Sequence, residues 1–211
     1  MELQGKIINF LGDSITEGCG TTGIEKRFTE IIQKNHNLCK ANNYGIGGTR
    51  FARKRVPSEN PKWDEDFCSR VEGMDENADI IVVFGGTNDF GHGDAPIGAY
   101  EDKTNDTFYG ACRVLMESLL NKYPGKPIIF LTPLHREDEE KPNGEKLAQY
   151  VDIIKETARY YALPVCDLYA ESGIQPRLPV IKEKFCPDGL HPNDAGHLIL
   201  AQKIAGYLIK L

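Results

Sequence analysis

The sequence predicts an α/β protein, a three-layer α/β/α sandwich built on a five-stranded parallel sheet. Two observations carry this prediction. Short aliphatic runs recur along the chain, and the longer stretches between them space apolar residues three and four apart. Such alternation is typical of strand–helix units, whose right-handed crossovers bring the carboxyl ends of the strands to one edge of the sheet. The length of 211 residues and a hydrophobic fraction of 40% favour one domain over residues 1–211.

The strands are predicted at five aliphatic runs, of which the second is the weakest: Ile7–Leu11, Leu38–Tyr44, Asp79–Phe84, Ile128–Leu131 and Leu163–Leu168. Amphipathic spacing predicts the covering helices at Arg27–Lys34, Tyr109–Lys122, Glu145–Tyr161 and Asp194–Ile209. In the last helix, Leu198, Ile199, Ile204 and Leu208 are expected to face inward. The longest aperiodic segments, expected to be surface loops, are Gly45–Asp66, Phe90–Asp106 and Glu171–Pro187.

Composition argues against several classes of protein. The 25 basic and 31 acidic side chains give a net charge of -6 without a basic stripe, which makes nucleic acid an unfavourable partner. The apolar run Ile7–Leu11 is too short for a signal peptide or a membrane span, so we expect a soluble, cytoplasmic protein without membrane association. The six cysteines form no C-x-x-C pair, and neither a metal nor another cofactor is expected.

Glycine-rich polar segments follow the first three predicted strands and should meet at one edge of the sheet. The first contains Gly12-Asp13-Ser14, where a serine between a strand and a helix can direct its hydroxyl into a cleft. Ser14 is therefore a candidate nucleophile. Taken alone, the triplet is explained better by a helix cap than by catalysis.

A carboxylate and an imidazole lie three positions apart near the C-terminus, at Asp188 and His191. One turn can bring Asp188 onto a ring nitrogen of His191, which is how a general base is oriented. The same spacing also suits a surface turn with an idle histidine, or a weaker two-residue metal site.

Acyl transfer by a serine also needs hydrogen-bond donors for the developing oxyanion. The loops offer the Ser14 N–H, the Gly48 N–H and the side-chain amide of Asn88. The segment Gly45–Thr49 is not a dinucleotide fingerprint, because it lacks the third glycine at its spacing and no helix follows it.

Together these segments resemble the four sequence blocks of the GDSL, or SGNH, hydrolases, in the order found in that family. The blocks are Gly12–Gly18, Asn43–Thr49, Gly86–Asp89 and Asp188–Asn193. The resemblance implies a flavodoxin-like fold in which Ser14 is the nucleophile, His191 the general base and Asp188 its orienting partner. It also implies an oxyanion hole formed by Ser14, Gly48 and Asn88. For Asp13 and Asp89, support of the adjacent loops is expected rather than a catalytic role.

Substrate preference must come from the loops, and Arg50, His92 and Arg136 are the candidate substrate-binding residues. The charged segments Lys54-Arg55 and Asp138–Lys141 argue against an apolar groove for a long acyl chain. The same charges are explained equally well by solvent exposure at the protein surface. We expect a small-molecule ester as the partner, with a short acyl group such as acetyl on a polar alcohol such as a carbohydrate. The alternatives are a thioesterase or lysophospholipase acting on longer acyl chains, and a catalytically silent carbohydrate-binding relative. The sequence leaves the oligomeric state open.

Overall fold

Five strands pair in parallel in the computed structural model of the protein, which describes residues 1–211. They are β1 (Ile7–Gly12), β2 (Lys40–Gly45), β3 (Ile80–Phe84), β4 (Ile128–Leu131) and β5 (Val165–Cys166). Their order across the sheet is β2-β1-β3-β4-β5. The predicted five-stranded parallel sheet is thereby confirmed.

Helices cover both faces of this sheet. In chain order they are α1 (Ser14–Glu17), α2 (Phe28–Asn35), α3 (Phe67–Arg70), α4 (Thr87–Gly91), α5 (Phe108–Lys122), α6 (Leu147–Tyr160), α7 (Leu168–Glu171), α8 (Pro179–Phe185) and α9 (Asp194–Lys210), with 3₁₀ turns at Ile24–Lys26 and Pro61–Asp64. The apolar faces of α5 and α6 pack on one side of the sheet, and those of α2 and α9 pack on the other.

Burial on both faces explains why the sequence of the central strand β3 is an unbroken apolar run. Ile81 and Val83 belong to the core beneath α5 and α6, whereas Ile80, Val82 and Phe84 belong to the core beneath α2 and α9. All five side chains are buried, because a parallel strand covered by helices on both faces has no side open to water.

The pairing register places the ends of the first three strands at one level. Gly12, the last residue of β1, pairs with Gly45 at the end of β2 and with Phe84 at the end of β3. The loops that carry the first three sequence blocks therefore start, as expected, from the same edge of the sheet.

Three details differ from the sequence prediction. The fifth strand is only Val165–Cys166, because Asp167 caps α7 immediately afterwards by accepting a hydrogen bond from the Ala170 N–H. The segment Glu171–Pro187, expected to be irregular, contains α8, which begins with a proline at its first position. Leu198, expected to face inward, is 44% exposed. The core residues of α9 are Leu200, Ala201, Ile204, Ala205 and Leu208, and Ile199 packs against them partly buried.

The helices of this fold are either too short or too polar to traverse a lipid bilayer.

Candidate active site

Ser14 lies at the first position of α1, directly beyond the end of β1. Asp13 precedes it in an extended conformation, and its Oδ1 caps the helix by accepting from the Ile15 N–H at 3.0 Å. The helix backbone passes close over the end of β2, where a Cβ on Gly45 would lie 2.1 Å from the Glu17 nitrogen. Glycine at that position therefore allows α1 to pack closely against the end of β2. This packing holds Ser14, which is 7% exposed, at the edge of the sheet.

The structure brings His191 to Ser14 from the opposite end of the chain. Ser14 Oγ lies 2.9 Å from His191 Nε2, and Asp188 Oδ2 lies 2.7 Å from His191 Nδ1. A carboxylate accepts, so Nδ1–H donates to Asp188 and the Nε2 lone pair is left to accept from the serine hydroxyl. This is the geometry of a nucleophile, a base and an orienting acid.

Asp188 holds the turn as well as the imidazole. Its Oδ1 accepts from the backbone N–H groups of Leu190 and His191 at 2.8 and 2.6 Å. Burial alone would raise the pKa of this carboxyl, but the hydrogen bonds from His191 and Leu190 outweigh that effect and lower it. Asp188 is therefore an anion at neutral pH, as an orienting partner must be.

Contacts on both sides fix the turn that carries His191. Asn193 Oδ1 caps α9 by accepting from the Gly196 N–H at 3.1 Å, and Asn193 Nδ2 donates to the Lys184 carbonyl at 3.0 Å. The next residue, Asp194, accepts from the Thr22 N–H at 2.8 Å, which joins the turn to the loop after α1. These bonds keep the imidazole aligned with Ser14.

The glycine segment after β2 contains one N–H that no group of the protein accepts. The Gly45 N–H donates to Asn43 Oδ1 at 2.9 Å, and the Gly47 N–H donates to Glu17 Oε2 at 2.7 Å. Gly48 makes no such bond through its N–H and has φ of +76°, a conformation that glycine adopts without strain. Among the three glycines, Gly48 is therefore the one able to donate to a substrate.

Asn88 occupies α4, beyond the end of β3, and is 4% exposed. One N–H of its amide donates to the Thr49 carbonyl at 3.0 Å. That bond fixes the amide plane and leaves the second N–H available. Ser14, Gly48, Asn88 and His191 all line the same cavity.

The two aspartates beside these residues are buried and hold backbone. Asp89 accepts from the N–H groups of Phe51 and Ala52 at 3.0 and 2.9 Å, which ties the loop after β2 to α4. Burial raises the pKa of Asp89 to about 6 and that of Asp13 to about 7, although these backbone bonds and nearby cations oppose the rise. Their contacts are those of loop supports.

The cavity has a volume of about 820 Å³ and is lined chiefly by polar residues, including Glu17, Lys54, Ser58 and Glu59. A volume of this size suits a small organic molecule. Nowhere in residues 1–211 do three or more His, Cys, Asp or Glu side chains cluster as metal ligands do.

The three predicted substrate-binding residues have different positions. His92 lines the cavity, and desolvation together with the Arg50 charge lowers its pKa, so the ring is neutral there. Arg50 also lines it but is 2% exposed, and its guanidinium donates to the Gly48 and Trp63 carbonyls, both at 3.0 Å. Arg136 does not line it. Its guanidinium donates to the Thr87 carbonyl at 3.2 Å and lies over the Phe90 ring.

The expectation for Arg136 is therefore corrected, because the Thr87 carbonyl of α4 holds its guanidinium outside the cavity lining. Several further residues line the cavity without having been predicted from the sequence, most notably Trp63, Glu17 and Leu190. Trp63 carried a signal that could have found it: it is the one tryptophan of the chain and stands in a polar, aperiodic segment. Glu17 and Leu190 lie inside sequence blocks and carried no separate signal.

Comparison with known proteins agrees with the family that the four sequence blocks resemble. The model of the GDSL-like Lipase/Acylhydrolase family matches residues 10–199. A GDSL lipase of Mycobacterium tuberculosis is 26% identical over 200 residues, which is 92% of this chain and 78% of that protein.

Two solved structures have the same fold. A protein from Lactobacillus plantarum superposes with a TM-score of 0.86 at 29% identity, covering 98% of both chains. The acetyl xylan esterase AlAXEase superposes with a TM-score of 0.68 at 19% identity, covering 96% of this chain and 99% of that one.

Proposed function

The chain belongs to the GDSL-like lipase/acylhydrolase family and is a carboxylic ester hydrolase, and we propose that it acts through an acyl-enzyme on Ser14. The observation that carries this proposal is the hydrogen-bonded chain from Ser14 Oγ through the His191 ring to the Asp188 carboxylate, with distances of 2.9 and 2.7 Å. The roles assigned to single residues below follow from that arrangement.

In the first step, Ser14 Oγ attacks the ester carbonyl while His191 Nε2 takes the hydroxyl proton. The carbonyl oxygen becomes an anion, which the N–H groups of Ser14 and Gly48 and the Asn88 amide stabilise. The carbon–oxygen bond to the alcohol then breaks, and His191 returns the proton to the leaving alcohol. Water repeats the sequence on the acyl-serine and releases the carboxylic acid.

A phosphonate probe tests this proposal directly. An alkyl fluorophosphonate should add to the Ser14 peptide, as seen by mass spectrometry after digestion, and Ser14→Ala should prevent the adduct and ester hydrolysis together. Ser58→Ala is the matched control, because Ser58 also lines the cavity but bonds to Lys54 and Asp64 rather than to a histidine. Hydrolysis that persists in Ser14→Ala would overturn the proposal.

For the substrate, we propose short acyl esters, acetyl above all, of a polar alcohol such as a carbohydrate. The presence of Lys54, Ser58 and Glu59 in the lining supports this choice, because a long alkyl chain placed over these side chains would desolvate them without satisfying their hydrogen bonds. The acetyl xylan esterase of like fold, by its name, acts on an acetylated carbohydrate. Greater kcat/KM for octanoyl than for acetyl p-nitrophenyl esters would instead favour a thioesterase or lysophospholipase.

We also propose that the protein works in the cytoplasm. All six cysteines are free, and Cys19 and Cys39 are exposed, which suits a reducing compartment. Fractionation of the producing cells, with the activity assayed in each fraction, tests this location, and activity confined to the medium would refute it.

A further inference from the structure

Trp63 presents an exposed indole to the cavity that contains Ser14. It belongs to the 3₁₀ turn Pro61–Asp64, and 47% of the residue is exposed. The indole packs against Gly48, since a Cβ placed on that glycine would lie 3.5 Å from the Trp63 Cγ. The largest aromatic side chain of the protein therefore stands beside a proposed oxyanion donor, with about half of its surface free.

The segment that carries the indole is anchored from beneath. The buried Arg50 donates to the Trp63 carbonyl at 3.0 Å and pairs with Asp64 at 3.5 Å. Asp64 in turn accepts from the Ser58 N–H at 2.8 Å. Because the loop is held at these points, the indole is pre-organised, and a ligand would not have to immobilise it on binding.

Groups that form hydrogen bonds line the cavity together with the indole. Lys54, Ser58, Glu59 and His92 line the same cavity, and Lys54 Nζ donates to Ser58 Oγ at 2.9 Å. A flat aromatic face attracts polarised C–H bonds through its negative quadrupole, while the surrounding ammonium, hydroxyl and carboxylate groups bind hydroxyls. A pyranose ring offers both features, C–H bonds on its faces and hydroxyls around its edge.

We propose that Trp63 is the platform on which the sugar ring of an acetylated carbohydrate stacks, with the ring as the alcohol half of the ester. This inference rests on the proposed function, because it takes the acyl group to be small and the ring to be the leaving group. It makes Trp63 a specificity-determining residue, and the tryptophan is not required for the attack by Ser14.

The first experiment measures binding without turnover. Since Trp63 is the one tryptophan, its fluorescence in the Ser14→Ala variant reports on this site alone. Titration with an acetylated methyl pyranoside should give a saturable change in emission, and ethyl acetate at the same concentrations should give none. No change with the pyranoside would overturn the platform.

The second experiment measures specificity. Trp63→Ala should lower kcat/KM for the acetylated pyranoside on the order of tenfold, the effect of about 1.4 kcal/mol, and should change kcat/KM for ethyl acetate less than about twofold. Trp63→Phe, which retains a ring, should recover part of the loss. Ethyl acetate is the control substrate because p-nitrophenyl esters carry a ring that could itself stack. Val56→Ala is the control variant, since Val56 is an exposed residue of the same loop that does not line the cavity.

Each remaining outcome has one meaning. An equal loss on both substrates would overturn the platform, because it would show that Trp63 only supports Gly48. Saturable pyranoside binding by a wild-type protein that hydrolyses no ester would support the platform and overturn the proposed function.

Discussion

Asp13 should make the stability of this protein fall as pH rises, and Asp13→Asn should remove that dependence. The carboxyl is 1% exposed, and its Oδ1 accepts from the Ile15 N–H. Burial raises its pKa from 3.8 to about 7, although that bond and the charges of His191 and Arg70 oppose the rise. Asparagine has the same shape and retains an oxygen to accept from Ile15, so the variant isolates the charge.

The sign and size of the effect follow from proton linkage. Between pH 3.8 and about 7 the native state binds more protons at Asp13 than the unfolded chain does, so the free energy of unfolding falls as pH rises through this window and is level above it. The window spans roughly three pH units at about 1.4 kcal/mol each, which gives a loss of up to about 4 kcal/mol. Asp13→Asn should therefore gain stability relative to wild type as pH rises.

Urea unfolding followed by circular dichroism measures this difference. The free energies of wild type and Asp13→Asn are compared at fixed ionic strength from about pH 4 to about pH 8, the window set by linkage. Asp138→Asn, at an exposed position, controls for the chemical change itself. Parallel curves for wild type and Asp13→Asn across this range would refute the reasoning, because they would show that folding does not alter the ionisation of Asp13.

Three further predictions concern catalysis. Asn88→Ala should lower kcat by roughly 10²–10³ with KM nearly unchanged, because its free N–H acts mainly on the oxyanion of the transition state; steady-state kinetics with an unchanged kcat would reduce Asn88 to a support for Thr49. Arg50→Lys should lower kcat by on the order of tenfold, because an ammonium cannot reproduce the planar set of donors that holds the Gly48 and Trp63 carbonyls; wild-type kcat in a folded variant would contradict this. Finally, His191→Gln should lower kcat by several orders of magnitude, because glutamine cannot take the hydroxyl proton of Ser14; near-wild-type kcat in a folded variant would exclude His191 as the base.

The sheet and most helices could be predicted because their signal is local. Strand β3 is apolar at every position, and the apolar residues of α6 recur at helical spacing. Each segment therefore indicates from its own sequence which of its faces is buried. The short strand β5 could not be bounded, because the aliphatic run Leu163–Leu168 continues past the two residues that pair with β4. The helix α8 could not be predicted, because it buries no residue and its sequence therefore has no apolar stripe.

The positions of Ser14, Asp188 and His191 could be predicted because each lies in a sequence block with a fixed place relative to a strand end or turn. The folded chain was needed to show that Ser14 and His191, 177 positions apart, are in hydrogen-bond contact. It also supplies a physical reason for the prediction of Gly48 over Gly47, since the Gly47 N–H donates to Glu17, which belongs to another segment.

By itself, the sequence determined the fold class, the family resemblance and the set of groups at the edge of the sheet. Only the tertiary structure decided which loop side chains face the substrate. Arg50, Arg136 and Trp63 all occupy loops without periodicity. Gly48 and Asp64 hold Arg50 in the cavity wall, and the Thr87 carbonyl holds Arg136 against α4 and outside the cavity. Trp63 remains exposed in the cavity, beside Gly48. The direction of a loop side chain depends on contacts with residues that are distant in the sequence, and a local sequence pattern does not identify those residues.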